Sequence, residues 1–248
     1  MERNLNVIAV IPARYASTRF PYKLMQMLGD KTVIRHTYEN TVATGLFDDV
    51  WVVTDSELIR DEIVSHGGKA MMSNKTHESG SDRIAEAVED MEVELIINVQ
   101  GDEPFMDKKS LATLIDIFND TGVQVASLMK PFSDPQLIQD PNYVKVAVDH
   151  KMNSLLFSRS VIPYPRDTSM TITHYEHVGV YAFRKNALLQ FTQWSPTPLE
   201  LAEKIECLRY LENGIPLRMV ITSHEGAKID MPEDLEKAER YLARQNNR

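Results

Sequence analysis

An α/β fold with a mostly parallel sheet and a small antiparallel extension is predicted by three features of this 248-residue sequence. Strand-like apolar runs alternate with helix-like segments from the first residues, which implies right-handed βαβ units. The run at 95–99 is continuous and apolar, as in a strand covered on both faces. After about residue 131 the alternation lapses, and three strand-like runs follow without long helices between them.

The apolar run 7–11, bounded by Pro12, is the first strand. A helix over 32–44 has Thr32 as its cap and Ile34, Tyr38 and Thr41 on one face. A β-branched strand at 50–54 leads to a helix over 57–65. Gly67-Gly68 breaks the chain before a short strand at 70–72. Ser79-Gly-Ser-Asp82 resembles a capping box, and the helix behind it presents Ile84, Val88 and Met91 at helical spacing. Beyond the strand 95–99, a helix near 108–118 and a strand near 124–129 continue the alternation.

Strands at 144–148, 154–157 and 178–183, the last two separated by a polar loop at 166–175, form the extension. It occupies roughly residues 131–197 of what is expected to be a single domain, 1–248. Helices at about 185–192 and 198–212, a strand at 217–222 and a helix over 233–245 close the chain. In the helix over 198–212, Leu201, Ile205, Leu208 and Leu211 make the expected packing stripe, with Glu206 and Cys207 beside it. There is no internal repeat and no low-complexity segment.

A chain this long buries a full core without a disulfide or metal staple. Cys207 is its only cysteine, which excludes a disulfide framework and a multi-cysteine zinc site and suits a reducing compartment. The N-terminus lacks the basic and long apolar regions of a signal peptide, and no apolar run approaches membrane-spanning length. A soluble cytoplasmic protein is expected. The net charge of −9 disfavours general nucleic-acid binding, which needs a basic face. A nucleotide remains possible, since a few local cations hold one triphosphate.

Those cations crowd into one loop. Residues 12–23, Pro-Ala-Arg-Tyr-Ala-Ser-Thr-Arg-Phe-Pro-Tyr-Lys, directly follow the first strand, where open α/β sheets bind ligands. Arg14, Arg19 and Lys23 with Ser17 and Thr18 suit an anion with several oxygens. The loop has no glycine, so it is neither a Walker loop nor a G-x-G-x-x-G turn. Composition leaves a solvated basic loop equally open.

Asn98-Val-Gln-Gly-Asp-Glu-Pro104 ends the buried strand. Gly101 permits a tight turn there, and Asp102 and Glu103 emerge at the crevice, where a carboxylate could hold Mg²⁺ against phosphate oxygens or simply cap a turn. Ile229-Asp-Met-Pro-Glu-Asp234 opens the last helix. Glu233 and Asp234 complement its dipole, while Asp230 lies just outside and is able to point elsewhere. In 176–183, strand alternation sets His177, Gly179, Tyr181 and Phe183 on one face and Val178, Val180 and Ala182 on the other. That face reads equally as a pocket wall or as structural packing. Cys207 has no mark of a nucleophile, and there is no G-x-S-x-G elbow or H-E-x-x-H helix.

Together these segments resemble the 3-deoxy-manno-octulosonate (Kdo) cytidylyltransferase family over essentially the whole chain. The most specific parts are Ile11-Pro-Ala-Arg-Tyr-Ala-Ser-Thr-Arg19 and Asn98-Val-Gln-Gly-Asp-Glu-Pro104. Ser79-Gly-Ser-Asp-Arg83, Phe157-Ser-Arg159, His177-Val-Gly-Val-Tyr181 and Ile229-Asp-Met-Pro-Glu-Asp234 support them. The resemblance implies a doubly wound fold of the nucleotide-diphospho-sugar transferase type, usually homodimeric through the antiparallel extension. It implies the reaction of CTP with Kdo to give CMP-Kdo and pyrophosphate, in the cytosol, for lipopolysaccharide assembly in a Gram-negative bacterium.

Carried over by motif, it assigns Arg14, Lys23, Asp102 and Asp230 to catalysis, and Mg²⁺ to Asp102 and Asp230. The nucleotide falls to Pro12, Ala13, Arg14, Ser17, Lys23, Ser79, Gly80, Arg83 and Asp102. The sugar falls to Arg19, Gln100, Arg159, His177, Tyr181 and Glu206.

The chain departs from that pattern at four places. The family has a small residue where Tyr22 stands, Pro at Leu24, Gln at Cys207 and Thr at Met231. A positive φ at Tyr22 would cost on the order of 1 kcal/mol, so the loop is expected to avoid it and Tyr22 to cover the nucleotide. Met231 removes a good helix cap. A thiol cannot replace an amide's donors and acceptor, so Cys207 keeps a related acidic sugar, an 8-amino-Kdo or a sialic acid, as an alternative substrate. A catalytically silent CTP-binding protein is a further alternative, disfavoured by the two retained acids.

Overall fold

The computed structural model describes residues 5–17, 20–77, 79–167, 169–224 and 226–246. In chain order the elements are β1 (Val7–Ala13), β2 (Met27–Leu28), β3 (Lys31–Thr32), α1 (Val33–Ala43), β4 (Asp49–Thr54), α2 (Glu57–Ser65), β5 (Ala70–Met72), α3 (Gly80–Val88), β6 (Leu95–Asn98) and α4 (Lys108–Asp116). They continue with β7 (Val125–Pro131), β8 (Lys145–Val148), β9 (Ser154–Ser158), β10 (Tyr175–Arg184), α5 (Lys185–Phe191), α6 (Pro198–Glu203), α7 (Leu208–Glu212), β11 (Leu217–Ile221) and α8 (Pro232–Asn246). The chain divides into two compact units, residues 1–111 with 225–248 and residues 112–224.

In the first unit the strands run in the order β6-β1-β4-β5, all parallel. Val7, Ala9, Val10 and Ile11 of β1 are fully buried, as are Leu95, Ile96 and Ile97 of β6. Such runs form when a sheet is covered on both faces. The chain leaves β1 through α1 towards β4, then returns from β5 through α3 to β6 on the other side of β1. Right-handed crossovers in opposite directions put the helices on opposite faces. The β1/β6 boundary is therefore the switch point, whose carboxyl end is the ligand crevice of this class.

Local chemistry sets the helix starts. The Thr32 hydroxyl accepts the Arg35 N–H at 3.3 Å, capping α1. The Ser79 hydroxyl accepts the Asp82 N–H at 3.1 Å and donates to the Asp82 carboxylate at 2.8 Å, so the expected cap forms with the acid turned onto the hydroxyl. At α8 the missing Thr is replaced from within the helix: the Asp234 carboxylate accepts the N–H groups of Asp230 and Met231 at 3.1 and 3.0 Å.

In the second unit β11 and β7 are parallel. β10 runs antiparallel to β7 and to β8, and β9 antiparallel to β8. A bulge interrupts the β10–β7 register between Val178 and Tyr181. The single helix expected over 198–212 is instead two. Lys204 adopts a left-handed conformation, φ 53°, and ends α6. Leu201 accordingly leaves the anticipated stripe and is 52% exposed, while Ile205 and Leu208 are buried. Among the described residues, no helix is long and apolar enough to cross a membrane.

Candidate functional site

The loop after β1 is anchored at its root. Arg83, almost wholly buried on α3, donates through Nη1 to the Ala13 carbonyl at 3.3 Å and through Nη2 to Asp55 at 2.8 Å. Asp55, just past the end of β4, also accepts the Tyr15 N–H at 3.2 Å. Burial alone would raise the Asp55 carboxyl, but these hydrogen bonds outweigh it and hold its pKa below the ordinary value.

Farther along, Tyr22 takes the left-handed conformation, φ 55° and ψ 29°, contrary to the expectation that the loop avoids it. Its carbonyl accepts the Met25 N–H at 2.8 Å, starting the tight turn that carries Lys23. The Tyr22 ring lies against Tyr15, centroids 4.6 Å apart, which offsets part of the strain.

Lys23 is where three motifs meet. Its ammonium ion-pairs with Asp102 and stands 3.2 Å from Asp230 Oδ1. The Ile229 N–H donates to the Asp102 carbonyl at 3.0 Å, joining the segment after β6 to the segment before α8. Gly101 lets the turn close: a Cβ there would lie 3.3 Å from Ile34 Cδ1, Leu24 Cδ1 and the Pro12 carbonyl. The Thr37 hydroxyl holds the Gly101 carbonyl at 2.8 Å. Gly80 faces Pro12, with a built Cβ only 3.4 Å from the proline Cγ.

Half-exposed Lys228 adds a second cation, 3.4 Å from Asp230 Oδ2. Burial would lower its pKa, but Asp102, Glu103 and Asp230 outweigh that and raise it. Arg14 is exposed, and Ser17 and Gln100 are half-buried. Arg19 and Thr18 lie outside the described residues. Among the described residues, no group of three or more His, Cys, Asp or Glu side chains could hold a metal ion. The acids that converge here are the pair Asp102 and Asp230.

The second unit carries Arg159, His177, Tyr181 and Glu206. An aromatic row runs from Phe157 through His177 and Tyr181 to Phe183, with successive centroids 4.9, 5.3 and 5.8 Å apart. The expected face of His177, Tyr181 and Phe183 therefore survives the bulge. Arg159 donates to the carbonyls of Glu203 at 2.7 Å, Pro141 at 2.8 Å and Lys204 at 3.4 Å. Cys207 is buried beside Tyr181. Burial pushes the pKa of the Cys207 thiol well up, so it stays neutral. Burial does the same to the Tyr181 phenol, with Cys207 and Glu206 adding to the shift.

Sequence reasoning missed Asp55 and Lys228. The position of Asp55 at a strand end was its only signal. Lys228 stands two residues before Asp230 but carries no motif of its own.

The family described as Cytidylyltransferase matches residues 8–226. The chain is 56% identical to a 3-deoxy-manno-octulosonate cytidylyltransferase of Flavobacterium johnsoniae, over 96% of this chain and 99% of that one. It is 54% identical to the enzyme of the same name from Christiangramia forsetii, over 96% and 97%. A solved structure of CMP:2-keto-3-deoxy-manno-octonic acid synthetase, complexed with CTP, superposes with a TM-score of 0.91 at 35% identity, covering 96% of this chain and 99% of that chain. With the fold, the ordered motifs and near-complete coverage in agreement, the chain belongs to the 3-deoxy-manno-octulosonate cytidylyltransferase family.

Proposed function

We propose that the protein transfers CMP from CTP to the anomeric hydroxyl of Kdo, giving CMP-Kdo and pyrophosphate. The observation that carries this reading is the bridge from Lys23 to Asp102 and Asp230 at the switch point of the first unit. A cation and two acids at that position suit a triphosphate and a divalent ion.

Two carboxylates that reach one ammonium are also placed to share one metal. Mg²⁺ takes one or two protein carboxylates and completes its shell with substrate oxygens. Bound there, Mg²⁺ supplies Lewis-acid polarisation and a lowered pKa for a coordinated hydroxyl. Lys23 and Arg14 hold the phosphates and neutralise charge on the leaving pyrophosphate. Pro12, Ala13, Ser17, Ser79 and Gly80 shape the nucleotide site. Arg83 keeps the end of β1 in place through Ala13 and Asp55.

Arg159, His177, Tyr181 and Glu206 of the second unit bind the sugar. A guanidinium has five N–H donors, and Arg159 commits three to carbonyls, leaving two for the sugar carboxylate. The reaction takes place in the cytosol, its product serves lipopolysaccharide assembly, and the protein works as a homodimer. Leu155 and Leu156 on β9, 63% and 38% exposed, are apolar surface suited to that contact.

A thiol at Cys207 beside Tyr181, where the family carries Gln, favours a second reading, in which a related acidic sugar is preferred. Incubation with Mg²⁺, CTP and equal concentrations of Kdo, 8-amino-Kdo and a sialic acid decides. Pyrophosphate release with CMP-Kdo as main product supports the first reading. No release sinks both, and a different CMP-sugar selects the second.

A further inference from the structure

Lys228 belongs to none of the motifs that build the site, yet its ammonium reaches the same carboxylate as Lys23. Lys23 Nζ is 3.2 Å from Asp230 Oδ1, and Lys228 Nζ is 3.4 Å from Asp230 Oδ2. Two cations therefore flank one acid, at the switch point of the first unit. The acids around it, Asp102, Glu103 and Asp230, keep the Lys228 ammonium charged. Its side chain is 50% exposed, which leaves the ammonium accessible to an arriving ligand.

Stability does not account for this lysine. An ion pair this exposed contributes little. The start of α8 gains nothing from it either, because a helix N-terminus favours anions over cations. The Asp234 carboxylate already accepts the N–H groups of Asp230 and Met231 there.

Charge balance does account for it. Lys23 alone faces Asp102 and Asp230, which leaves that trio one negative charge in excess before any phosphate enters. Lys228 brings the group to neutrality, and a polyphosphate then meets less repulsion. A lysine ammonium is a compact charge with three donors on a flexible stem, so it can turn from a carboxylate to a phosphate oxygen without moving the backbone.

We infer that Lys228 is a second phosphate-binding lysine of the site, which neutralises Asp230 in the free protein and passes to an oxygen of the CTP polyphosphate on binding. The identity of the ligand rests on the CTP reading given above.

The test is CTP binding by calorimetry, in EDTA and again in Mg²⁺, for the native chain and four variants: Lys228→Met, Lys228→Arg, Asp230→Asn and the double variant Asp230→Asn/Lys228→Met. Lys228→Met is expected to lower CTP affinity about tenfold, and Lys228→Arg to stay within about threefold of native because a cation remains. The double variant separates phosphate contact from relief of Asp230. With Asp230 already neutral, loss of Lys228 is still expected to lower affinity about tenfold relative to Asp230→Asn alone. If that further loss vanishes, Lys228 serves only Asp230 and the inference is overturned. Native-like affinity in Lys228→Met overturns it as well. A native chain that binds no CTP in either buffer overturns the CTP reading and this inference together, whereas a native chain that binds CTP regardless of Lys228 overturns the inference alone.

Discussion

The Ile229 N–H donates to the Asp102 carbonyl at 3.0 Å, and this one main-chain bond brings together two acids far apart in sequence. It forms because the chain returns to the first unit for α8 and passes the carboxyl end of β6 on the way. Lys23 then closes the arrangement, reaching both carboxylates. The pair is partly buried, so it is useful as geometry more than as net stability.

Tyr22 holds a left-handed backbone that favours glycine. Tyr22→Gly and Tyr22→Ala both lose the contact with Tyr15, and only glycine relieves the backbone. Tyr22→Gly is therefore expected to be more stable than Tyr22→Ala by about 0.5–1 kcal/mol, the left-handed cost less the entropy of a freer chain. Denaturant midpoints decide, and equal stability or the reverse order removes the strain assignment.

Arg83 and Asp55 make an acid-sensitive link. The Asp55 carboxyl has a lowered pKa in the folded state, so its contribution is present above the unfolded carboxyl value and lost as pH falls through the lower folded one. Arg83→Met is expected to destabilise by about 2 kcal/mol at neutral pH, less than for a fully buried pair because the Asp55 side chain is 42% exposed and screened. The difference from the native chain shrinks below about pH 4, as Asp55 takes up its proton. A pH-independent difference in denaturation curves contradicts the pairing.

Cys207 is buried and has its pKa raised. A thiol reagent such as Ellman's reagent is expected to leave the folded protein unlabelled at pH 8 and to label its single cysteine once guanidinium unfolds it. Fast labelling of the folded chain would place the thiol in an exposed, activated setting.

Much of this architecture was legible in the sequence, for identifiable reasons. β1 and β6 announce themselves as apolar runs, and Ser79 and Thr32 as caps, because burial on both faces and capping impose strong local patterns. The break at Lys204 and the bulge after Val178 did not show. Lysine carries no signal for a left-handed turn, and period-two alternation passes through a bulge unmarked. Tyr22 misled for the opposite reason: a bulky residue argues against the conformation that the turn before Lys23 imposes. Lys228 acts through tertiary neighbours, which no spacing rule reveals.

The central claim is that Asp102 and Asp230 act on the transferring phosphate rather than merely holding the fold. Asp102→Asn keeps the size of the side chain and removes its charge, and its test is pyrophosphate release measured beside CTP binding by calorimetry on one preparation. Loss of several kcal/mol of charge stabilisation is expected to lower turnover at least about 10³-fold, with CTP affinity within about tenfold of the native protein. Turnover within about twofold of native, with Mg²⁺ and both substrates saturating, would contradict the assignment.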